Sequence, residues 1–402
     1  MEEQQTDGLR GQAGQNLWPT IGSLLFLVSI FFVTFMGRTA TAPLLPSLEQ
    51  DLGFLHTQAG SLFLYLSLGY FCGLLGSGYV ASSLNHRRTI VLSALTGGAS
   101  LLAIGFSDSI WGVRLGLLAV GLTTGLYLPS GIAIATSVVT PRHWGKALAI
   151  HDMAPNLSFV AAPALASAFL GLISWRGVFF VYGCASVLVS LAFSRWGPGG
   201  RLSGRAPGLA VVKSLLKTPS LWILCAVFSV GTIGVAGVYN MLPLFLTAEH
   251  HLSESSANLI VALSKVSGIG AALLAGGISD RLGPRRALVG ILGITGIMTL
   301  LIGLTSGTWL QVIVFLQSAV AVCFFPVGFA ALSSIGTFET RNLSVAMIVA
   351  VSSLIGMGVV PAGTGLMADL GLFGTGFAIS GLLILGGIAL LPWLKLSAGL
   401  KA

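Results

Sequence analysis

The chain has 402 residues, 54% of them hydrophobic and 8% charged, with 20 Lys and Arg against 12 Asp and Glu for a formal charge of +8. A soluble domain carries about 25% charged residues, so this composition excludes a water-facing globular surface and requires an exterior that faces hydrocarbon. The basic excess does not indicate a nucleic-acid partner, because the basic residues are dispersed in short clusters between apolar runs and do not form one polar face.

Residues 1–17 are polar and glycine-rich, without the basic start and short apolar core of a secretory leader; they are expected to form a disordered cytoplasmic tail. Spanning the bilayer takes about 20 mostly apolar residues. Runs of that kind cover 18–45, 57–80, 88–107, 111–137, 145–170, 176–194, 220–247, 255–279, 286–305, 308–335, 342–368 and 372–394. The expectation is an all-α integral membrane protein of 12 transmembrane helices. With the amino terminus inside, all Lys and Arg residues except Arg38, Arg114, Arg176 and Lys265 fall on the inner side. By the positive-inside rule both termini are then cytoplasmic, and a plasma membrane, bacterial inner in type, is the expected location. Cys72, Cys184, Cys225 and Cys323 each lie inside an apolar run without metal-ligand spacing, so they are expected as packing residues with no disulfide and no metal.

The longest hydrophilic connection, 195–219, holds Gly197-Pro198-Gly199-Gly200 and several basic residues, and reads as a basic cytoplasmic linker. It divides the chain into a first six-helix bundle, 18–194, and a second, 220–394, followed by a tail at 395–402. The halves repeat: Pro46, Arg88, Pro129 and Pro163 find counterparts in Pro243, Arg286, Pro326 and Pro361. Two pseudo-symmetric bundles related in this way place a site near the midplane between them.

The connection after the eighth span reads Gly276-Gly277-Ile278-Ser279-Asp280-Arg281-Leu282-Gly283-Pro284-Arg285-Arg286. It resembles the signature cytoplasmic loop of the major facilitator superfamily. The first-half counterpart, Gly78 to Arg87-Arg88, keeps the glycine and the basic end but has Ser82 and Ser83 where the Asp-Arg pair is expected. In span four, Leu117 stands where the family often has an arginine, and Arg114 lies one turn outward. The resemblance implies the superfamily fold, alternating access, and a cytoplasmic gate at Asp280, Arg281, Arg285, Arg87 and Arg88.

Ionisable side chains inside a membrane cost about 2.5–3.5 kcal/mol each on insertion scales and mark function. Lys265 lies fifteen residues before Asp280, about 22 Å from the inner end at 1.5 Å per residue; it would attract an anion, or else pair with a structural acid. Arg38 is in the outer third of span one, either gripping a carboxylate through its planar fork or serving an outer gate. If both face one cavity they form an anion clamp. His151 and Asp152 are about 8 Å into span five and are candidates for proton coupling or for the inner gate. Asn156 shares a face with Asp152 at i,i+4 spacing, and Tyr127 and Asn240 offer hydrogen bonds beside Pro129 and Pro243. These residues complete the expected substrate-lining set, with packing the alternative for Tyr127 and Asn240. No catalytic Ser-His-Asp spacing, phosphate-cradling loop or metal cluster is present in the sequence, so neither an enzyme nor a cofactor is expected. The expected function is secondary transport of a small organic anion, a carboxylate, by a monomer in the lipid bilayer, with proton coupling. Drug or metabolite efflux, and a non-transporting sensor with a carrier fold, are the alternatives.

Overall fold

The computed structural model describes residues 18–394 apart from 201, 205, 207 and 334–337. Ten helices are long and apolar enough to cross a membrane. Trp144–Phe169 and Glu254–Leu282 bring the passes among the described residues to twelve. Below, "inner" denotes the face at which Trp18 and Leu394 lie and "outer" the opposite face.

Span one runs as Trp18–Thr39 and Thr41–Leu52, beyond the boundary at 45 expected from hydropathy. The extra turns carry Ser47, Glu49, Gln50 and Asp51, which are too polar to count as membrane but helical all the same. Gly53 stops the helix in the left-handed conformation at φ 63°, its N–H donating to Glu49 O, as a glycine C-cap does. Span two is His56–Leu84, span four Ile110–Ser137, span five Trp144–Phe169 and span eight Glu254–Leu282. Spans seven and eleven are both interrupted. Span seven comprises Pro219–Thr232, a π-helical turn Ile233–Gly237, and Val238–Ala248. Span eleven comprises Phe338–Ser353, a π-helical turn Leu354–Val359, and Val360–Asp369.

Within hydrocarbon there is little hydrophobic drive to bring helices together, so close packing at small residues holds them. Spans two and four show this directly. A Cβ built on Gly121 would overlap Leu66 O and lie 2.8 Å from Tyr70 N, and one on Gly125 would lie 2.7 Å from Leu74 N. These neighbours are backbone atoms and cannot turn aside. Gly121→Val is expected to destabilise the first bundle by about 3 kcal/mol or more, read as a lowered melting temperature in detergent.

Between the halves, span two packs along span eleven and span five along span eight. Hydrogen bonds join the halves at mid-span and toward the outer ends. Ser47 Oγ bonds Glu254 Oε2 at 2.6 Å, Asn258 Nδ2 donates to Pro43 O at 3.0 Å, and Ser167 Oγ meets Ser255 Oγ at 2.7 Å. Toward the inner face, span five presents Asp152, Met153, Asn156 and Leu157 as exposed side chains. The bonds at Ser47, Asn258 and Ser167 hold the halves together at their outer ends.

The linker is not free. Leu202 O accepts the His86 N–H and the Gly204 N–H donates to Ala81 O, so it docks on the turn between spans two and three. That is the connection in which Ser82 and Ser83 replace the acid–base pair.

Candidate functional site

Four basic residues fall outside the inner set, and the structure divides them into two pairs. Arg114 bonds Ser61 Oγ and lies over the Trp111 ring, 4.7 Å from its centroid. Arg176 pairs with Asp51 and Asp108. Both are accounted for on the outer rim of the first half. Arg38 and Lys265 are different: among the described residues neither has a carboxylate within ion-pair distance.

Arg38 is 4% exposed. Its guanidinium carbon lies 3.9 Å from the Tyr70 ring centroid and 5.3 Å from that of Phe35. Nη2 meets Met357 Sδ at 3.1 Å, and Nε is buried without a partner. A thioether is a weak acceptor, so the Nε and Nη2 sides of the guanidinium lack a strong acceptor. Lys265 Nζ donates to Val235 O at 3.1 Å and lies 5.4 Å from the Tyr239 ring and 5.8 Å from that of Phe159. Phe159 meets Phe35 edge-on at 5.8 Å and Tyr239 at 4.9 Å. The Phe35–Phe159–Tyr239 rings therefore run from one cation to the other. Spans one, two and five supply one side of this arrangement; spans seven, eight and eleven supply the other.

The π turns explain why the second-half polar groups gather here. Widening a helix by one residue breaks its regular hydrogen-bond ladder and frees carbonyls, which must find donors where there is no water. Lys265 Nζ takes Val235 O, Gln317 Nε2 takes Gly234 O at 2.8 Å, and Asn240 Nδ2 takes Met357 O at 3.0 Å. The two π turns also touch: a Cβ on Gly356 would sit 2.8 Å from Ser229 O and 2.9 Å from Ile233 N. Asn240, expected as a lining residue, thus joins Arg38 and Lys265 at one place. Tyr239, one position earlier, donates its hydroxyl to Thr39 O across the halves at 3.3 Å.

Span five carries the remaining candidates. His151, Ala154 and Ser158 are buried, and Ser158 Oγ reaches Phe32 O of span one, so this face packs into its own bundle. Asp152, Asn156 and Phe159 follow at i, i+4 and i+7 on the neighbouring face. Phe159 is the member that meets Tyr239 and Lys265, so this face looks into the interior between the halves, with Asn156 and Asp152 on its inner side. The Asp152 side chain is 61% exposed and lies 3.4 Å from His151 Nδ1. Asn156 Nδ2 donates to Asp152 O.

Two expectations need correction. Tyr127 does not line the interior: it is fully buried, stacked on Phe31, with its hydroxyl donating to Leu27 O at 3.1 Å and 3.3 Å from His151 Nε2. Its ring supports His151 from within the first bundle. Arg87 commits its guanidinium to Ser194 O at 2.8 Å in the same half, which ties span three to span six. Arg88, Arg281 and Arg285 are exposed, and the side chain of Asp280 lies outside the described residues. Sequence reasoning passed over Tyr70, Phe35, Phe159, Gln317 and Met357. The glycine-dense runs Gly231–Gly237 and Gly356-Met357-Gly358 were the available signal for the π turns.

The comparisons with known proteins agree with the fold. The family model described as Major Facilitator Superfamily matches residues 27–253 and 232–399. The chain is similar to the multidrug resistance protein MdtG of Proteus mirabilis, 26% identical over 314 residues, which covers 73% of this chain and 76% of that protein. It is also similar to the 3-(3-hydroxy-phenyl)propionate transporter of Escherichia coli, 27% identical over 235 residues, 56% of this chain and 57% of that one. Among solved structures, a bacterial homologue of the human lysosomal transporter Spinster, in an inward-facing and occupied conformation, superposes with a TM-score of 0.75. It is 18% identical and covers 95% of this chain and 96% of that chain.

Proposed function

The chain belongs to the Major Facilitator Superfamily, and we propose that this multi-pass membrane transporter is a secondary carrier of small organic anions. A carboxylate is held between Arg38 and Lys265 and passed across by alternating access. The observation that supports the reading is a pair of interior cations joined by one run of packed aromatic rings, with no carboxylate within ion-pair distance among the described residues. A buried, incompletely bonded charge is costly to a fold; a ligand that supplies the missing acceptors offsets that cost. Rings beside the cations favour a substrate with an apolar body behind its carboxylate. The named relative that transports a phenylpropionate supports the same chemistry.

Asp152 is the proposed coupling carboxyl. It stands on the interior face of span five next to His151, where a proton can be taken up or released while the inner side is open. Both termini are cytoplasmic in this reading and the membrane is the plasma membrane. Efflux of drugs is the second reading, favoured by the long match to MdtG, but two interior cations would repel a lipophilic cation.

The test is uptake of 3-(3-hydroxyphenyl)propionate into proteoliposomes, acidic outside. The carrier should concentrate the anion, and Lys265→Ala should lower uptake by about 30-fold or more, the effect expected when one partner of a buried charge pair is removed. Asp152→Asn should still exchange substrate across the membrane but no longer respond to the pH gradient. Uptake unchanged in Lys265→Ala would remove the clamp.

A further inference from the structure

The first turn of span two is capped by the other half of the molecule. An α-helix begins with N–H groups that no residue of its own can satisfy, and a Ser, Thr, Asp or Asn at the N-cap normally serves one of them. Span two has Leu55 at that position, with no acceptor in its side chain. The His56 and Thr57 N–H groups are instead taken by the two carboxylate oxygens of Asp369, each at 2.9 Å. Asp369 is the last residue of span eleven, more than three hundred positions along the chain.

The electrostatics work in one direction. A carboxylate at the carboxyl end of its own helix opposes that helix's dipole, and at the amino end of another it is stabilised. Asp369 occupies the first position in sequence and the second in space only while the outer ends of the halves are together. The neighbouring packing needs the same closure. A Cβ on Gly60 would overlap Pro361 O, and one on Gly365 would overlap His56 O, so spans two and eleven meet there backbone to backbone.

We infer that Asp369 is the outer latch of the carrier, holding the outer side closed by capping span two in trans. The inference rests on the alternating-access reading and adds the residue that holds one of its two states. It makes Leu55 informative: an intrinsic cap at that position would leave the helix start satisfied whether the gate was closed or open, and closure would gain less.

Residue 56 offers a clean test because two substitutions there separate backbone from side chain. His56→Ala removes the imidazole, which meets Glu49 at 2.9 Å, and leaves the N–H. His56→Pro removes the N–H as well. Proline is favoured at the first helical position, and Leu55 already has the extended conformation, φ −80° and ψ 161°, that precedes it. Spin labels on Leu172→Cys and Leu304→Cys, exposed outer positions in opposite halves, report the separation of the outer ends by pulsed electron resonance. The full chain is reconstituted in nanodiscs with its four native cysteines changed to serine. The parent and His56→Ala should show the short distance. His56→Pro and Asp369→Asn should raise the long-distance population by about tenfold, the weight of a missing helix cap. Unchanged distances in both His56→Pro and Asp369→Asn would overturn the latch, as would a His56→Ala shift equal to that of His56→Pro. Should even Gly60→Leu fail to produce the long distance, the alternating-access reading itself falls.

Discussion

Arg38→Met will make the protein more stable and stop it carrying the proposed anion. The two effects have one cause. In the structure Arg38 is buried against Tyr70 and Phe35, with Nε unbonded and only a thioether at Nη2. Taking a guanidinium out of water with so few partners is a net cost to the fold. Replacing buried ionic groups by well-packed apolar ones of similar length is commonly neutral or stabilising, by about 1–4 kcal/mol. Methionine keeps an unbranched, adaptable stem, and its thioether can sit favourably beside an aromatic ring such as Tyr70. Thermal unfolding in detergent should therefore move upward. Transport should fall by about 30-fold or more, because removing one partner of a buried charge pair costs about 2 kcal/mol or more. Arg38→Lys separates charge from shape: the ammonium keeps the sign but not the planar fork, so it should recover part of the transport and none of the added stability. A drop in stability in Arg38→Met comparable to a core truncation would identify Arg38 as a structural cation instead.

Gly60→Leu will hold the outer side open. The Cβ alone would overlap Pro361 O and lie 2.9 Å from Ala362 Cα, and these backbone atoms belong to the opposite half. Neither can rotate away, so closure must accommodate a full leucine between two helices. Overpacking of this kind costs about 3 kcal/mol, which moves the ratio of closed to open states by about 100-fold. Because the atoms nearest that Cβ all belong to span eleven, the penalty falls chiefly on the closed state. The variant should bind substrate from the outer side and fail to release it inside. Binding to oriented proteoliposomes, measured beside turnover, checks this. Normal turnover would mean that spans two and eleven separate and reunite by a route that spares Gly60.

Much of the fold was legible in the sequence because hydrocarbon imposes a single demand along the chain, a long apolar run. The composition, the twelve runs and the repeat of prolines across the two halves all report that demand directly. Span one shows the limit. Its last turns carry Ser47, Glu49, Gln50 and Asp51, and hydropathy ends the helix where the membrane ends, whereas the backbone continues to Gly53. The site was half legible. Arg38 and Lys265 stood out because an intramembrane cation is rare, and Asn240 because it precedes a proline. The rings between them did not, since Phe35 and Phe159 look like any other aromatic residues in apolar runs. The π turns were hidden because a widened turn leaves no polar mark on its own residues; its donors, Gln317 and Asn240, come from elsewhere. Tyr127 misled for a related reason. A tyrosine beside a proline signals an available hydroxyl, but only packing shows whether the hydroxyl is engaged, and here it is.

The two inner connections follow the same pattern. The loop around Asp280–Arg286 carries the family signature, while its first-half counterpart lacks the acid–base pair and has the linker backbone docked against it at Ala81 and His86. The missing pair is legible in Ser82 and Ser83, but the backbone that docks on that turn, at Leu202 and Gly204, is remote in sequence.

The measurement that bears most directly on the anion clamp is calorimetric titration of the purified protein with 3-phenylpropionate and, separately, with a lipophilic cation of similar apolar size. The clamp predicts that the carboxylate binds, that Lys265→Ala and Arg38→Met each weaken it by about 30-fold or more, and that the cation does not bind. Binding of the cation alone, unaffected by either substitution, would contradict it.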